Sequence, residues 1–403
     1  MLEFQKNNIK GNKMEEYEIL RDLINFNTAF DVQNKSIMEY LDEFFRELGF
    51  LNHYVIDEDT QKLALICSYG ENPELGFVCH TDTSPMGREW DYDAMDLTID
   101  GDKLIGLGVC DDKGGMAAAL YAIKRIDWKK AQKGIKLYFT FDEENNFNGI
   151  KCINEAEKNF PQNIIIPSPT NLHPVIVTKG MLKFNVLIMG KEAHSSNPNN
   201  GVNAIETGVA FLSELYQFNA KLKEDKSKAF EVPYTSFNLG KIQGGTSMNR
   251  VPGECSLFFE YRTSKVAHHK LIIDKVKALC EKYQAYMTII DEVPLMNTFA
   301  ETFVVKLEEI TGKLRGSVAV TSDGNYIRNR NVILLGPGPI TGNEKNEYIS
   351  KFSFDTLVDI YEKIIIEYCA VAGGPKATPV NSAPVEEAAA DVEAEEPEKK
   401  AKK

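Results

Sequence analysis

What most constrains this chain is a change of rhythm. Up to Gly180 the sequence alternates β-rich and helical runs. The spacing predicts a helix over 14–27 and a second from Ser36, with Glu39 completing a capping box and Gly49 as a left-handed stop. The β-rich runs HYVID, LALICS and LGFVCH follow, then a helix over 113–127, the strand IKLYFTF (135–141), a helix near 147–157 and the strand NIIIP. Such alternation implies an α/β domain with a largely parallel sheet. From 181 to 292 the order becomes β-α-β-β-α-β, the split βαβ or ferredoxin-like pattern. Helix 298–311, strands 316–320 and 331–335 and helix 352–371 then resume the first rhythm. The expected organisation is therefore a split domain, 1–180 and 293–372, interrupted by a second domain at 181–292. The remaining 373–403 holds four prolines and no aromatic residue, and is expected to be disordered.

Composition narrows the function classes. At roughly 100–200 residues per domain, 403 residues fit two domains. The net charge of −13 lacks the basic footprint of a nucleic-acid binder and disfavours docking on anionic membrane. No run reaches the ~18 apolar residues of a membrane span. The opening MLEFQKNNIKGNKMEE has no apolar stretch, so no signal peptide is expected. Seven cysteines without a C-x-x-C suggest reduced thiols and a cytoplasmic location. Only six histidines occur, none after His269.

Four groups of metal-type side chains fall at the ends of expected strands or early in the second domain. They are His80-Thr81-Asp82, Asp111-Asp112-Lys113-Gly114-Gly115, Asp142-Glu143-Glu144 and His194-Ser195-Ser196. Ligand crevices of open α/β sheets lie beyond the carboxyl ends of strands. Imidazole with carboxylates suits Zn²⁺ or a similar divalent ion. Taken singly, each has an ordinary structural explanation: a chance H-x-D, an aspartate capping a helix, a solvated glutamate pair, a loop histidine. Their order along one α/β pattern is what argues for a site.

Longer stretches add specificity. GFVCHTDTSPMG (76–87), LTIDGDKLIGLGVCDDKGG (97–115), FTFDEE (139–144), SPTNLHPVIVTKG (168–180) and AHSSNPNNGVNAIE (193–206) are joined by VPYTSFNLGKIQGGTSMNRVPGECSL (232–257), YRTS (261–264), TSDGNYI (321–327) and LLGPG…NEYIS. Over about 14–370 the chain resembles the M20 metallopeptidase superfamily, in its acetylornithine deacetylase and succinyl-diaminopimelate desuccinylase branch. The resemblance implies a Zn-peptidase-like catalytic domain carrying an inserted lid and dimerisation domain, and a homodimer. It implies two metal ions, Zn²⁺ or Co²⁺, with His80 on the first, Asp111 bridging and Glu144 on the second. Glu143 would be the general base and Asp82 would orient His80. His194 would reach the oxyanion from the partner subunit. Asn249 and Arg262 would hold the substrate carboxylate. The implied reaction is hydrolysis of an N-acyl amino acid, such as N2-acetylornithine, with dipeptide hydrolysis as an alternative.

Two positions depart from that pattern. Ser168, before Pro169-Thr170, stands where the resemblance calls for an acidic ligand of the first ion. Asn343 aligns with a late histidine ligand of the second, in a shortened GPGPITGNEKNEYIS. Because no histidine follows 269, no nearby one can substitute. Three outcomes stay open: a hydrolase with altered ion binding, aided by the Asn343 amide oxygen or by His173; a mononuclear enzyme; or a degenerate relative that keeps fold and dimer without turnover.

Overall fold

The computed structural model describes residues 17–87 and 89–372, so the expected disorder of 373–403 lies outside the described residues. The chain forms two compact units: one holds the described residues up to Leu172 and from Leu334 onward, the other His173–Ile333.

In the first unit, strands Leu51–Ile56, Leu63–Tyr69, Ile135–Thr140, Leu75–His80 and Asn163–Ile166 lie side by side in that order. The sheet is mixed rather than largely parallel. Leu51–Ile56 and Leu63–Tyr69 pair antiparallel, as do Leu63–Tyr69 and Ile135–Thr140. Only six residues join the first two strands, too few for the crossover that parallel pairing needs. Leu75–His80 pairs in parallel with both Ile135–Thr140 and Asn163–Ile166, and every residue of Leu75–His80 and Asn163–Ile166 is buried. That doubly covered centre explains the uninterrupted apolar runs LGFVC and NIII.

The helices differ from expectation mainly at their ends. The second runs Lys35–Glu47 with Asn34 at the N-cap, and no capping box forms. The Asn34 amide instead donates to the Leu63 carbonyl (2.7 Å) and accepts from the Leu63 N–H (3.0 Å), docking the helix onto the strand. Gly49 does take the left-handed conformation, at φ 83°. Helix Lys113–Arg125 is buried over its first eleven residues, and a Cβ on Gly114 or Gly115 would run into the Val109 or Pro167 carbonyl.

In the second unit, Ser236–Gly244, Glu254–Thr263, Gly180–Met189 and Ala285–Val293 form an all-antiparallel sheet in that order. The two helices Ala204–Leu222 and Val266–Tyr283 complete the β-α-β-β-α-β order read from the sequence. Alternate residues Leu257, Phe259 and Tyr261 point into a core shared with Phe184, Phe211, Leu215, Ile272 and Val276. The Asn203 side chain caps the first of these helices by accepting from Ile205 N–H (3.0 Å) and Glu206 N–H (3.2 Å).

Candidate functional site

Parallel pairing sets His80 level with Thr140, so the chain leaves both strands at the same edge. The Thr81 N–H (3.1 Å) and hydroxyl (2.8 Å) both donate to the Thr140 carbonyl and clamp the two exits together. Asp82 extends the clamp: its Oδ2 accepts from the Glu144 N–H at 3.0 Å. Asp142 shapes the loop that carries Glu143 and Glu144. It is buried, adopts φ 63°, and its carboxylate accepts from the side-chain amides of Asn145 (3.2 Å) and Asn148 (2.7 Å). Burial, chiefly, raises its carboxyl above the usual range. Asp142 thus supports the loop, a role the sequence did not separate from that of its two neighbours.

The centre of the group is the His80 imidazole, 2% exposed. Its Nδ1 faces the Asp82 carbonyl at 3.0 Å and Asp82 Oδ1 at 3.7 Å. Both are acceptors, so Nδ1 carries the hydrogen. Nε2 then points at Asp111 Oδ1, 3.3 Å away. Two lone pairs face each other there unless a proton or a cation lies between them. Burial alone would lower the His80 pKa, but Glu143, Asp111, Asp82 and Asp112 outweigh it and hold the ring well above its usual value. Glu144 accepts from the Ser84 hydroxyl at 2.9 Å. Its carboxyl is raised, first by burial and then by the charge of Asp111. The structure therefore brings His80, Asp82, Asp111, Glu143 and Glu144 into one electrostatic cluster.

The two departing positions are neutral in place as well as in sequence. Ser168 is buried just after strand Asn163–Ile166. Asn343 is exposed, in a left-handed turn at φ 64°. The turn passes over Asp111: a Cβ on Gly342 would lie 3.3 Å from Asp111 Cβ and 3.7 Å from Oδ2. Among the described residues, no three His, Cys, Asp or Glu side chains converge to hold an ion. With Ser168 and Asn343 at the two positions where the resemblance calls for ligands, the donor set would leave each of two ions one ligand short and does not fit a complete two-ion centre. His173 is engaged elsewhere, its Nδ1 donating to the Leu314 carbonyl at 3.0 Å.

Within the second unit, Ala193–His194 pairs with Arg250–Val251, which sets His194 beside Asn249. The Ser195 N–H donates to the Asn249 carbonyl at 3.0 Å. His194 Nδ1 accepts from the Ser196 N–H at 3.2 Å, so a neutral His194 carries its hydrogen on Nε2 and is exposed as a donor. The Asn249 Oδ1 accepts from the Ser247 hydroxyl at 2.6 Å. Arg262 is already engaged: Nε donates to Glu260 Oε1 (2.7 Å) and Nη1 to the Thr321 hydroxyl (2.9 Å).

Two buried ionisable groups of the first unit have surroundings that the sequence did not show. Lys113 donates from Nζ to the Phe26 carbonyl at 2.8 Å, and burial brings its pKa down to about 7. Glu347 is 3% exposed, and burial brings its carboxyl up to about 7. An acid just before a three-residue strand carries no periodic signal, so only the fold reveals it.

Comparison with known proteins agrees with this architecture. A peptidase dimerisation domain model matches residues 176–287. An acetylornithine deacetylase of Aliivibrio salmonicida is 32% identical over 357 residues, spanning 85% of this chain and 94% of that protein. One of Vibrio parahaemolyticus is 30% identical over 355 residues, with 85% and 93% covered. Among solved structures, a Staphylococcus aureus tripeptidase aligns with a TM-score of 0.71 at 22% identity, covering 87% of this chain and 97% of that one. A Bacillus subtilis M20 protein described as a dinuclear metal-binding peptidase aligns with a TM-score of 0.63 at 13% identity, covering 88% and 97%. Among the described residues, no helix is long and apolar enough to cross a membrane.

Proposed function

Because the chain belongs to the M20 peptidase family, we propose that it is an amide hydrolase of the deacylase type, acting as a cytoplasmic homodimer on an N-acyl amino acid such as N2-acetylornithine. The observation that carries this reading is the pairing of buried His80 with partly exposed Asp111, oriented by Asp82 and within the charge of Glu143 and Glu144. Glu143 collects a proton from the attacking water and returns it to the leaving amine, as a positioned carboxylate can. On this reading the His194 Nε2–H reaches the developing oxyanion from the partner subunit, and Asn249 and Arg262 bind the substrate carboxylate. Zn²⁺ or Co²⁺ is the expected cofactor type. With Ser168 and Asn343 neutral, it is held more weakly than it would be with an acid and a histidine at those positions.

Those two residues favour one second reading: a relative that keeps the fold and recognises a small ligand without turning it over. Protein purified without chelators, titrated with Zn²⁺ or Co²⁺ and assayed on acetylornithine and a dipeptide panel separates the two. Ion-dependent release of free amine supports the hydrolase, and its preferred substrate sets the acyl or dipeptide class. No ion uptake and no turnover of any substrate overturns it in favour of the second reading.

A further inference from the structure

The loop that presents Asp111 is held only in part by its own backbone. Between Gly106 and Lys113 its internal bonds are Val109 N–H to the Gly106 carbonyl (3.2 Å) and Lys113 N–H to the Gly108 carbonyl (2.9 Å). The amides of Gly108, Cys110 and Asp111 turn inward, and all three meet one side chain. Glu347 Oε1 accepts from Cys110 N–H at 2.7 Å and Asp111 N–H at 3.2 Å, and Oε2 accepts from Gly108 N–H at 3.1 Å. The Glu347 carbonyl also accepts from Gly106 N–H at 3.2 Å. The loop has little room to rearrange: Gly108 sits at φ 75°, where a Cβ would come within 2.6 Å of Thr83 Cγ2. The following helix has no side-chain cap at Asp112.

We propose that Glu347 is the positioning residue for Asp111, its carboxylate fixing the Gly108–Asp111 turn so that Asp111 Oδ1 meets His80 Nε2. Converging backbone N–H groups form a nest that suits an anion. A carboxylate answers three donors with two oxygens, whereas a carboxamide of the same shape offers one oxygen and turns an NH₂ against the remaining N–H. The requirement is therefore chemical and not one of volume. Glu347 immediately precedes strand Tyr348–Ser350, which pairs with Lys103–Ile105, so the turn is tied to a short sheet next to it. The inference rests on the reading of Asp111 as the site carboxylate, but its test needs no turnover.

With only six histidines in the chain, the His80 ring can be followed by ¹⁵N-histidine NMR and assigned by the loss of its signals in His80→Gln. In Glu347→Gln the His80 Nε2 resonance is expected to shift or broaden while far-UV circular dichroism stays folded. Glu347→Asp, which keeps the charge, is expected to restore part of the wild-type signal. Phe50→Leu, in the Phe45–Tyr69–Trp128 aromatic cluster, controls for general loosening of the same unit and is expected to leave His80 in place. An unchanged His80 signal in Glu347→Gln, an equal change in Phe50→Leu, or failure of both Glu347 variants to fold would overturn the inference. Absent turnover in the wild type would defeat the proposed function and leave this result standing.

Discussion

Glu143 and Glu144 are chemically alike and adjacent, and the structure separates them. Glu144 accepts from Ser84 and lies within the charge of Asp111, whereas Glu143 makes the largest favourable contribution to the charge on the His80 ring. Glu143→Gln is therefore expected to lower kcat about 10²–10⁴-fold, the span of general acid–base catalysis, while leaving ion content unchanged. Rate and elemental analysis on one preparation check both halves. A variant with full activity removes Glu143 as the base. The reciprocal change restores what the chain lacks. Ser168→Glu with Asn343→His is expected to raise Zn²⁺ or Co²⁺ affinity by roughly the 10–100-fold that supporting groups of a metal site are worth, or more. Unchanged affinity would mean that the two positions do not face the ions. At this scale the clusters were legible because each is contiguous: H-x-D and D-E-E end or follow strands, while D-D-K-G-G follows a turn, not the strand expected at GLGVC, and opens a helix. Glu347 was not, because its three partners lie 236 or more residues away in the chain.

Elements were legible where one face is buried and less so where side chains bridge between them. The strand over 254–263 shows its alternation plainly, and both long helices of the second unit fall where the β-α-β-β-α-β order puts them. The capping box at Ser36 failed because Asn34, one residue earlier than the helix, is committed to Leu63, a tertiary bond that no local window contains. Helix Glu301–Thr311 offers a test of such cross-element bonds. Arg315, just beyond it, donates from Nε and Nη2 to both oxygens of Glu308 at 2.9 Å, and from its backbone N–H to Oε1 at 2.8 Å. Burial works to raise the Glu308 carboxyl, but Arg315 outweighs it and the net pKa is lowered. A depressed folded pKa means stability that is present above the unfolded value, near 4.5, and lost as pH falls through the folded value. Glu308→Gln is therefore expected to cost on the order of 1 kcal/mol at neutral pH. Thermal melts of both proteins from pH 7 downward should converge once the pH passes below the carboxylate range. A gap that persists there would show the bond to be independent of charge.

For the whole molecule the open question is association. The second unit exposes apolar side chains on adjoining elements: Val209 at 63% and Tyr216 at 52% lie seven residues apart on helix Ala204–Leu222, and Ile242 at 52% lies on the outermost strand, Ser236–Gly244. An uncovered strand edge beside an apolar helix face is a surface that proteins normally bury. Each chain also carries a net −13, so two copies repel at long range. Apolar contact and like-charge repulsion predict a dimer that tightens with salt, because screening over about 8–10 Å at 0.1–0.15 M removes the repulsion and leaves the apolar term intact. Sedimentation equilibrium at several salt concentrations should show the dimer constant rising with ionic strength. Val209→Asp with Tyr216→Asp should give a folded monomer at every salt concentration. If His194 acts across the interface, that monomer loses kcat while ion content holds. A double variant that remains dimeric would place the contact elsewhere on the unit, and a wild-type chain that stays monomeric at high salt would leave His194 no partner subunit to serve.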